Sequence, residues 1–316
     1  MTLALVVITS GLALFLFGHW PIRRLMRRSG DPRVAIVSWL IALAAAPGML
    51  IGGTAILLLP GHAGLTGLAR SAGGCLIHLA NEVTPTREEV TGLVGLLLLV
   101  VGTVRIVVVA AQFTRRRRQQ LDHHRFLVAL ASRPETNRPD GRPIHLLDHR
   151  RPMAYSVGGA GGLVVVSRGL QDALTPGAFA AAIAHEQAHL KGHHHLLLAA
   201  VDILAAAIPI APLLRHAPHD LRVLVEYAAD TEAARRWGAT AVRNAVLAVA
   251  GSTVPRCALS MAGGPVADRL ARLRDPVDQR STLHRLLRCG VAGATTALGP
   301  LLVTATALLV VACPTA

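Results

Sequence analysis

Two histidines and a glutamate within AHEQAH carry the first chemical signal in this chain. His185 and His189 are four residues apart, so on a helix both imidazoles lie on one face and can reach one ion, with Glu186 projecting beside them. This is the HExxH pattern: two zinc ligands and a carboxylate placed to take a proton from zinc-activated water. A catalytic zinc takes three protein ligands and keeps a fourth position open. Two residues compete for the third place. His195 completes HExxHxxGxxH through Gly192, with Met261 as a candidate for the accompanying methionine turn. Glu226 instead opens EYAAD on a separate helix, with Asp230 one turn later on the same face. Glu226 is favoured, because the first arrangement needs the chain to reverse at Gly192, and HHHLLLAAVDIL offers no turn chemistry beyond that glycine. Asp230 would then fix a histidine ring by its second N–H. His193, His194 and His195 are expected to be solvated or to face lipid headgroups.

The elements that must position these residues are mostly helical. Thr175 and Pro176 suit an N-cap and first helical position, opening the alanine-rich helix GAFAAAIAHEQAHL. Asp220 is expected to cap a second helix through RVLVEYAADTEAARRW, stopped by Gly238. Ahead of both, YSVGGAGG and the β-branched run GLVVVS predict one or two strands about a glycine turn. Residues 132–143 (SRPETNRPDGRP) read as a polar, proline-rich loop.

The surrounding composition is that of a membrane protein. Of 316 residues 52% are hydrophobic and 16% charged, against about 25% charged in a typical soluble domain, and mean hydropathy is +0.48. Four segments are long and apolar enough to span a bilayer: 2–18, 34–60, 91–113 with Arg105 inside it, and Gly290–Cys313. In the first, the positive charges follow the apolar run, so it is expected to be a retained span. The net charge of +14 is almost all arginine, Lys191 being the only lysine. Five arginines lie in 19–33 and 23 in 114–289, against Arg70 and Arg87 in 61–90. The positive-inside rule then puts both termini outside and 114–289 in the cytoplasm of a multi-pass cell-membrane protein. Attraction to anionic headgroups accounts for the charge better than nucleic acid, since the basic stretches lack interleaved aromatics for base stacking.

The expected fold class is therefore mainly α: four transmembrane helices and a cytoplasmic helical zinc-peptidase domain with a small β-sheet. The expected division is a three-span membrane domain at 1–113, the cytoplasmic domain at 114–289, and a fourth span with a short outer tail at 290–316. Segment 195–214 is long enough to cross once, but ligands to one ion must share a side of the membrane, and two crossings need about 40 residues. It is expected to lie on the inner surface or to dip in and return. Arg105 in mid-span calls for a structural partner, Asp202 being one conceivable mate. Cys75 and Cys313 fall on the outer side, where they could bridge; Cys257 and Cys289 would be reduced inside.

TPGAFAAAIAHEQAHLKGHHH, followed thirty-one residues later by EYAAD, resembles the gluzincin integral-membrane zinc metallopeptidases. The resemblance covers residues 150–240 and is nearest to the BlaR/MecR-type antibiotic-sensor peptidases, with the HtpX and CAAX-prenyl-protease types as neighbours. It implies Zn2+ bound by His185, His189 and Glu226, Glu186 as general base and acid, and Asp230 behind the ligands. It also implies a strand within Tyr155–Ser167 that pairs with an extended substrate. After the last span only Pro314, Thr315 and Ala316 remain, so the extracellular penicillin-binding sensor of the BlaR/MecR type is not expected. The expected partners are the lipid bilayer and a protein substrate, either a transcriptional repressor cleaved under regulation or membrane proteins cleared for quality control. A metal-binding sensor or transporter would use the histidines without hydrolysis, but transporters place such groups within spans, where this chain carries only Arg105.

Overall fold

The computed structural model describes residues 2–28, 31–58, 87–135, 144–159, 161–250, 259–260 and 265–274. The described residues are mainly helical. The chain opens with α1 (Thr2–Phe17), bends by 49° at Gly18 into the short amphipathic α2 (His19–Arg28), and returns through α3 (Pro32–Leu58), which packs along α1. A Cβ on Gly18 would fall 2.5 Å from the Leu14 carbonyl oxygen, so the tight bend needs a glycine. α4 (Arg87–Ala131) follows. Among the described residues two helices are long and apolar enough to cross a membrane, Pro32–Ile56 and Leu93–Ala131, or three if the bent α1–α2 pair counts as one span. The expected fourth span at 290–313 and all four cysteines lie outside the described residues.

The third predicted span did not stop where its apolar character does. α4 continues past Phe113 through the arginine run to Ala131, because TRRRRQQLDHHRFLVALA contains no glycine or proline to break it. At 1.5 Å per residue its 45 residues measure about 67 Å, over twice a hydrocarbon core of about 30 Å, so its basic end must project from any bilayer it crosses. Arg105 in its apolar half donates from Nε to the backbone oxygen of Ala207. Asp202, the mate suggested by sequence, instead accepts both of its hydrogen bonds from Arg222 at 2.7 Å. Arg105 thus serves the carbonyl end of a helix, where orphan acceptors need donors.

α4 leads directly into β1 (Ser132–Glu135), so the loop expected at 132–143 begins as an edge strand, a place that tolerates Pro134. β2 (Ile144–Leu147), β3 (Ala154–Val157), β4 (Leu163–Ser167) and the two-residue β5 (Leu259–Ser260) complete a sheet ordered β1-β2-β4-β3-β5. β2 and β4 run parallel and the other pairs antiparallel. The predicted glycine turn joins β3 to β4: Gly159, Gly161 and Gly162 all take positive φ, and the register sets Tyr155 opposite Val165.

Among the described residues six more helices follow: α5 (Arg168–Ala173), α6 (Pro176–Lys191), α7 (His194–Ala207), α8 (Pro212–Trp237), α9 (Ala239–Val249) and α10 (Val266–Arg272). One core joins the sheet to α6, α9 and the end of α8 through Val164, Val166, Ile183, Ala233 and Val246. A second joins α1 and α3 to α7 and the start of α8 through Trp39, Leu198, Leu213 and Leu221. α8 is the shared member.

Candidate metal centre

α6 forms for local reasons. Thr175 caps it, its hydroxyl accepting from the Ala178 N–H, and Pro176 occupies the first turn, where no N–H is missed. Its apolar alanines and Ile183 pack into the sheet-side core, which leaves His185, Glu186 and His189 fully buried at its inner end.

The helix stops at Gly192, and here the structure corrects the reading of an uninterrupted run. His193 adopts left-handed backbone geometry at φ 50°, and the chain turns into α7. A residue other than glycine pays about 1–2 kcal/mol for that conformation, so its type gave no warning. The reversal still does not bring His195 to the other histidines. Its ring lies against Gly158, where any side chain would run into it, and its backbone oxygen accepts from Arg117. Residues 195–214 form most of α7, a turn at 208–211 with Ile210 88% exposed, and the start of α8, which folds back on α7. Residues 195–214 thus belong to a helical hairpin.

α8 carries the remaining residues, and it is longer than expected. Asp220 does not cap it. The helix runs unbroken through Pro218, and Asp220, only 5% exposed, accepts from Arg23 of α2 at 2.7 and 3.0 Å. Gly238 ends it as expected, at φ 83°.

Where α6 and α8 cross, His185, His189 and Glu226 come together. Their offered ligand atoms all lie within 4.8 Å of one another. The two Nε2 atoms are 3.1 Å apart, and the Glu226 carboxylate oxygens lie 3.5 Å from His185 Nε2 and 3.4 Å from His189 Nε2. Both rings therefore turn Nε2 to the centre and are held from behind by Nδ1. His185 Nδ1 is 2.9 Å from Asp230, and His189 Nδ1 is 2.9 Å from Nδ1 of His194. A ring that offers Nε2 to an ion carries its proton on Nδ1, so Asp230 and His194 are positioned as acceptors that fix tautomer and orientation. His194 was expected to be solvated; the turn at His193 folds it onto His189 instead.

Arg269, on α10, was absent from the sequence reading. It is fully buried, donates to Asp230 from Nε at 2.7 Å and from a terminal nitrogen at 2.6 Å, and reaches Glu226 at 3.2 Å. It stands 39 residues beyond Asp230 in an ordinary-looking helix, with no motif to mark it. Its charge decides the electrostatics. Glu186, Glu226 and Asp230 are each at most 4% exposed, so with both imidazoles neutral, as ligation requires, three carboxylates and one guanidinium leave a formal charge of −2. Buried charge needs compensation, and a divalent cation supplies that amount. A donor set of two imidazoles and one carboxylate is one that zinc takes.

Burial opposes charge on His185, but its hydrogen bonds to the Asp230 and Glu226 carboxylates outweigh it and raise its pKa to about 9. His189 is driven well below its usual value by burial and by neighbouring His185 and His194. His194 falls to about 4, again through burial and then His185. Burial raises Glu226, while for Asp230 the bonds to Arg269 and His185 overcome burial and lower it.

The sheet corrects one expectation about substrate. β4 is internal, and the outer edge of β3 is already paired at Tyr155 and Ser156 with Ser260 and Leu259 of β5. An extended peptide would have to replace β5 or pair beyond it.

Residues 116–219 match the family model described as peptidase family M48. Over these residues, about a third of the chain, the protein is similar to peptidase family M48. The M48 stretch runs from the basic end of α4 through His185, Glu186 and His189 and stops short of Glu226. M48 peptidases are metal-dependent, and the buried triad gives this chain a place to hold a metal. Glu226, Asp230 and Arg269 join the M48 residues through tertiary structure alone. No solved structure matches the chain.

Proposed function

We propose that the protein is a membrane-embedded zinc metalloendopeptidase that hydrolyses peptide bonds of membrane-associated or cytosolic proteins at the cytoplasmic face. The observation that carries the reading is the convergence of His185, His189 and Glu226, from two helices, in a centre whose net negative charge suits a divalent ion. His185, His189 and Glu226 would hold the ion. Zinc, when bound, supplies Lewis-acid chemistry that makes water a nucleophile at neutral pH and polarises a carbonyl. Glu186, next to His185 and wholly buried, takes the proton from the attacking water at its carboxylate and passes it to the leaving amine nitrogen. Asp230 and His194 keep the two rings aimed, and the Arg269 guanidinium favours the ionised form of Glu226 and Asp230 against the burial that opposes it.

The membrane assignment rests on the apolar helices, and the cytoplasmic one on the arginine asymmetry between 61–90 and 114–289. Membrane-level placement favours substrates embedded in the bilayer or recruited to it. Regulated cleavage of a repressor, in the manner of the BlaR/MecR type, is the first role to test, and HtpX-like quality control the second. The division into a membrane domain at 1–113, a catalytic domain at 114–289 and a fourth span at 290–316 belongs to this proposal.

Metal analysis of the purified full chain, paired with membrane and cytosolic proteomes of cells carrying wild type or Glu186→Gln, tests the reading. About one zinc per chain in both proteins, with substrates accumulating only in the Gln variant, is expected. A chain that binds no zinc overturns it outright, and a zinc-loaded Gln variant whose proteome matches wild type overturns it in favour of a non-catalytic metal-binding protein.

A further inference from the structure

A groove of about 800 Å³ lies between α3, the α6–α7 turn and α8. Its rim carries Arg33 at the start of α3, Lys191 at the end of α6 and Glu232 on α8, while Ile36, Leu40 and Leu196 line its wall. Arg33, Ile36 and Leu40 follow helical spacing along one face of α3, so an apolar stripe runs about 10 Å onward from a charged mouth. α3 is, among the described residues, one of two helices long and apolar enough to cross a membrane, so with α3 as a span this stripe would head into hydrocarbon. Leu40 and Leu196 are 40% and 58% exposed, leaving the wall uncovered by the described residues.

The mouth is cationic. Glu232 lies 3.0 Å from Arg33 and 3.7 Å from both Arg235 and Arg236, so one carboxylate is shared by three guanidiniums, and the Lys191 ammonium adds a fourth positive charge. The Arg33 side chain remains 46% exposed despite its ion pair, with N–H groups left for a second acceptor. Guanidinium and ammonium groups above an apolar, membrane-directed wall match an anionic headgroup above an acyl chain. They suit a peptide less well, because the wall consists of helix side chains and offers no strand edge for an extended backbone.

We infer that this groove binds an anionic phospholipid, its phosphate between Arg33 and Lys191 and one acyl chain along Ile36, Leu40 and Leu196. The groove also reaches Ala188, His194 and Ala228, neighbours in sequence or space of His189 and Glu226. A bound headgroup would therefore brace the turn that folds His194 onto His189. The inference does not depend on the peptidase reading, since its readout is lipid.

Native mass spectrometry of the detergent-purified full chain, offered equal phosphatidylglycerol and phosphatidylcholine, tests it. Wild type retains one phosphatidylglycerol in preference to phosphatidylcholine, and excess inorganic phosphate does not displace it. With about 1 kcal/mol for each basic residue near a headgroup, Arg33→Gln with Lys191→Gln lowers retention about 30-fold. Leu40→Trp fills the groove, keeps every charge and also loses the lipid. Acylation of Lys191, the only lysine in the chain, gives a second measurement on the unaltered protein. It proceeds several-fold more slowly in phosphatidylglycerol than in phosphatidylcholine nanodiscs, and Leu40→Trp removes most of that difference. Equal retention of the two lipids, undiminished retention by either variant, displacement by phosphate, Lys191 protection unchanged by Leu40→Trp, or a peptide found in the groove in place of lipid each overturns the inference.

Discussion

The helix that brings His185, Glu186 and His189 to the centre is held by its own sequence, whereas the helix that brings Glu226 and Asp230 is held by other parts of the chain. α6 has a threonine cap, a first-turn proline and an apolar face, and its three site residues are local neighbours, so forming the helix assembles them. α8 has no side-chain cap and carries an internal proline. It is positioned by Arg23 on Asp220, Arg33 on Glu232 and Arg269 on Asp230 and Glu226, contacts that reach back to the first 33 residues and forward to α10. One half of the centre is therefore a local motif, and the other is a long-range construction that can fail without touching the motif.

The sharpest way to break that pairing is at the carboxylate. Glu226→Ala leaves α6 intact but removes the only contribution α8 makes to the triad. Cleavage should fall by at least about 10³-fold, several kcal/mol of metal-dependent stabilisation being lost, and zinc content measured by mass spectrometry should fall with it. Next comes Arg269→Met, which strands two buried carboxylates. The cost should be about 3–5 kcal/mol in chemical denaturation of the metal-free chain, and zinc should recover part of it by balancing the same charge.

pH sharpens the comparison because the two helices meet at one proton. In the metal-free chain the stabilisation from protonated His185 is complete below its ordinary value of 6.5 and is lost as pH rises through about 9. Zinc must displace that proton, so its affinity rises over the same interval. The melting-temperature gap between zinc-loaded and metal-free protein should widen from pH 6.5 to 9, and a gap that narrows would contradict the proton's place between Asp230 and Glu226. Smaller effects come from the supports of each helix. Asp220→Asn weakens the tie to α2 and should cost about 1–2 kcal/mol, while Thr175→Ala removes the α6 cap for about 1 kcal/mol. Isothermal titration should show zinc affinity reduced by Asp220→Asn and nearly unchanged by Thr175→Ala, because only the first loosens the helix that carries Glu226.

What was legible follows the same divide. The HExxH spacing, the Thr175 cap, the Gly238 stop, the glycine turn between β3 and β4 and the apolar runs of α1, α3 and α4 all lie within a few turns of chain, where periodicity and turn chemistry speak. The misreadings lie where long-range contacts overrule local ones. Asp220 looks like a cap until Arg23, nearly two hundred residues away, claims its carboxylate inside a continuous helix. His194 looks like one of three equivalent surface histidines until a strained residue turns it onto His189.

By itself the sequence determined the chemistry on offer, two imidazoles and a carboxylate on one helix face, because side-chain spacing along a helix is set by its pitch. Only the tertiary structure decided how that offer is completed. Arg269 has no local reason to be buried, and its guanidinium matters only because folding puts Glu226 and Asp230 beside it in a place that water does not reach. Electrostatic need of that kind arises from burial, and burial belongs to the whole chain.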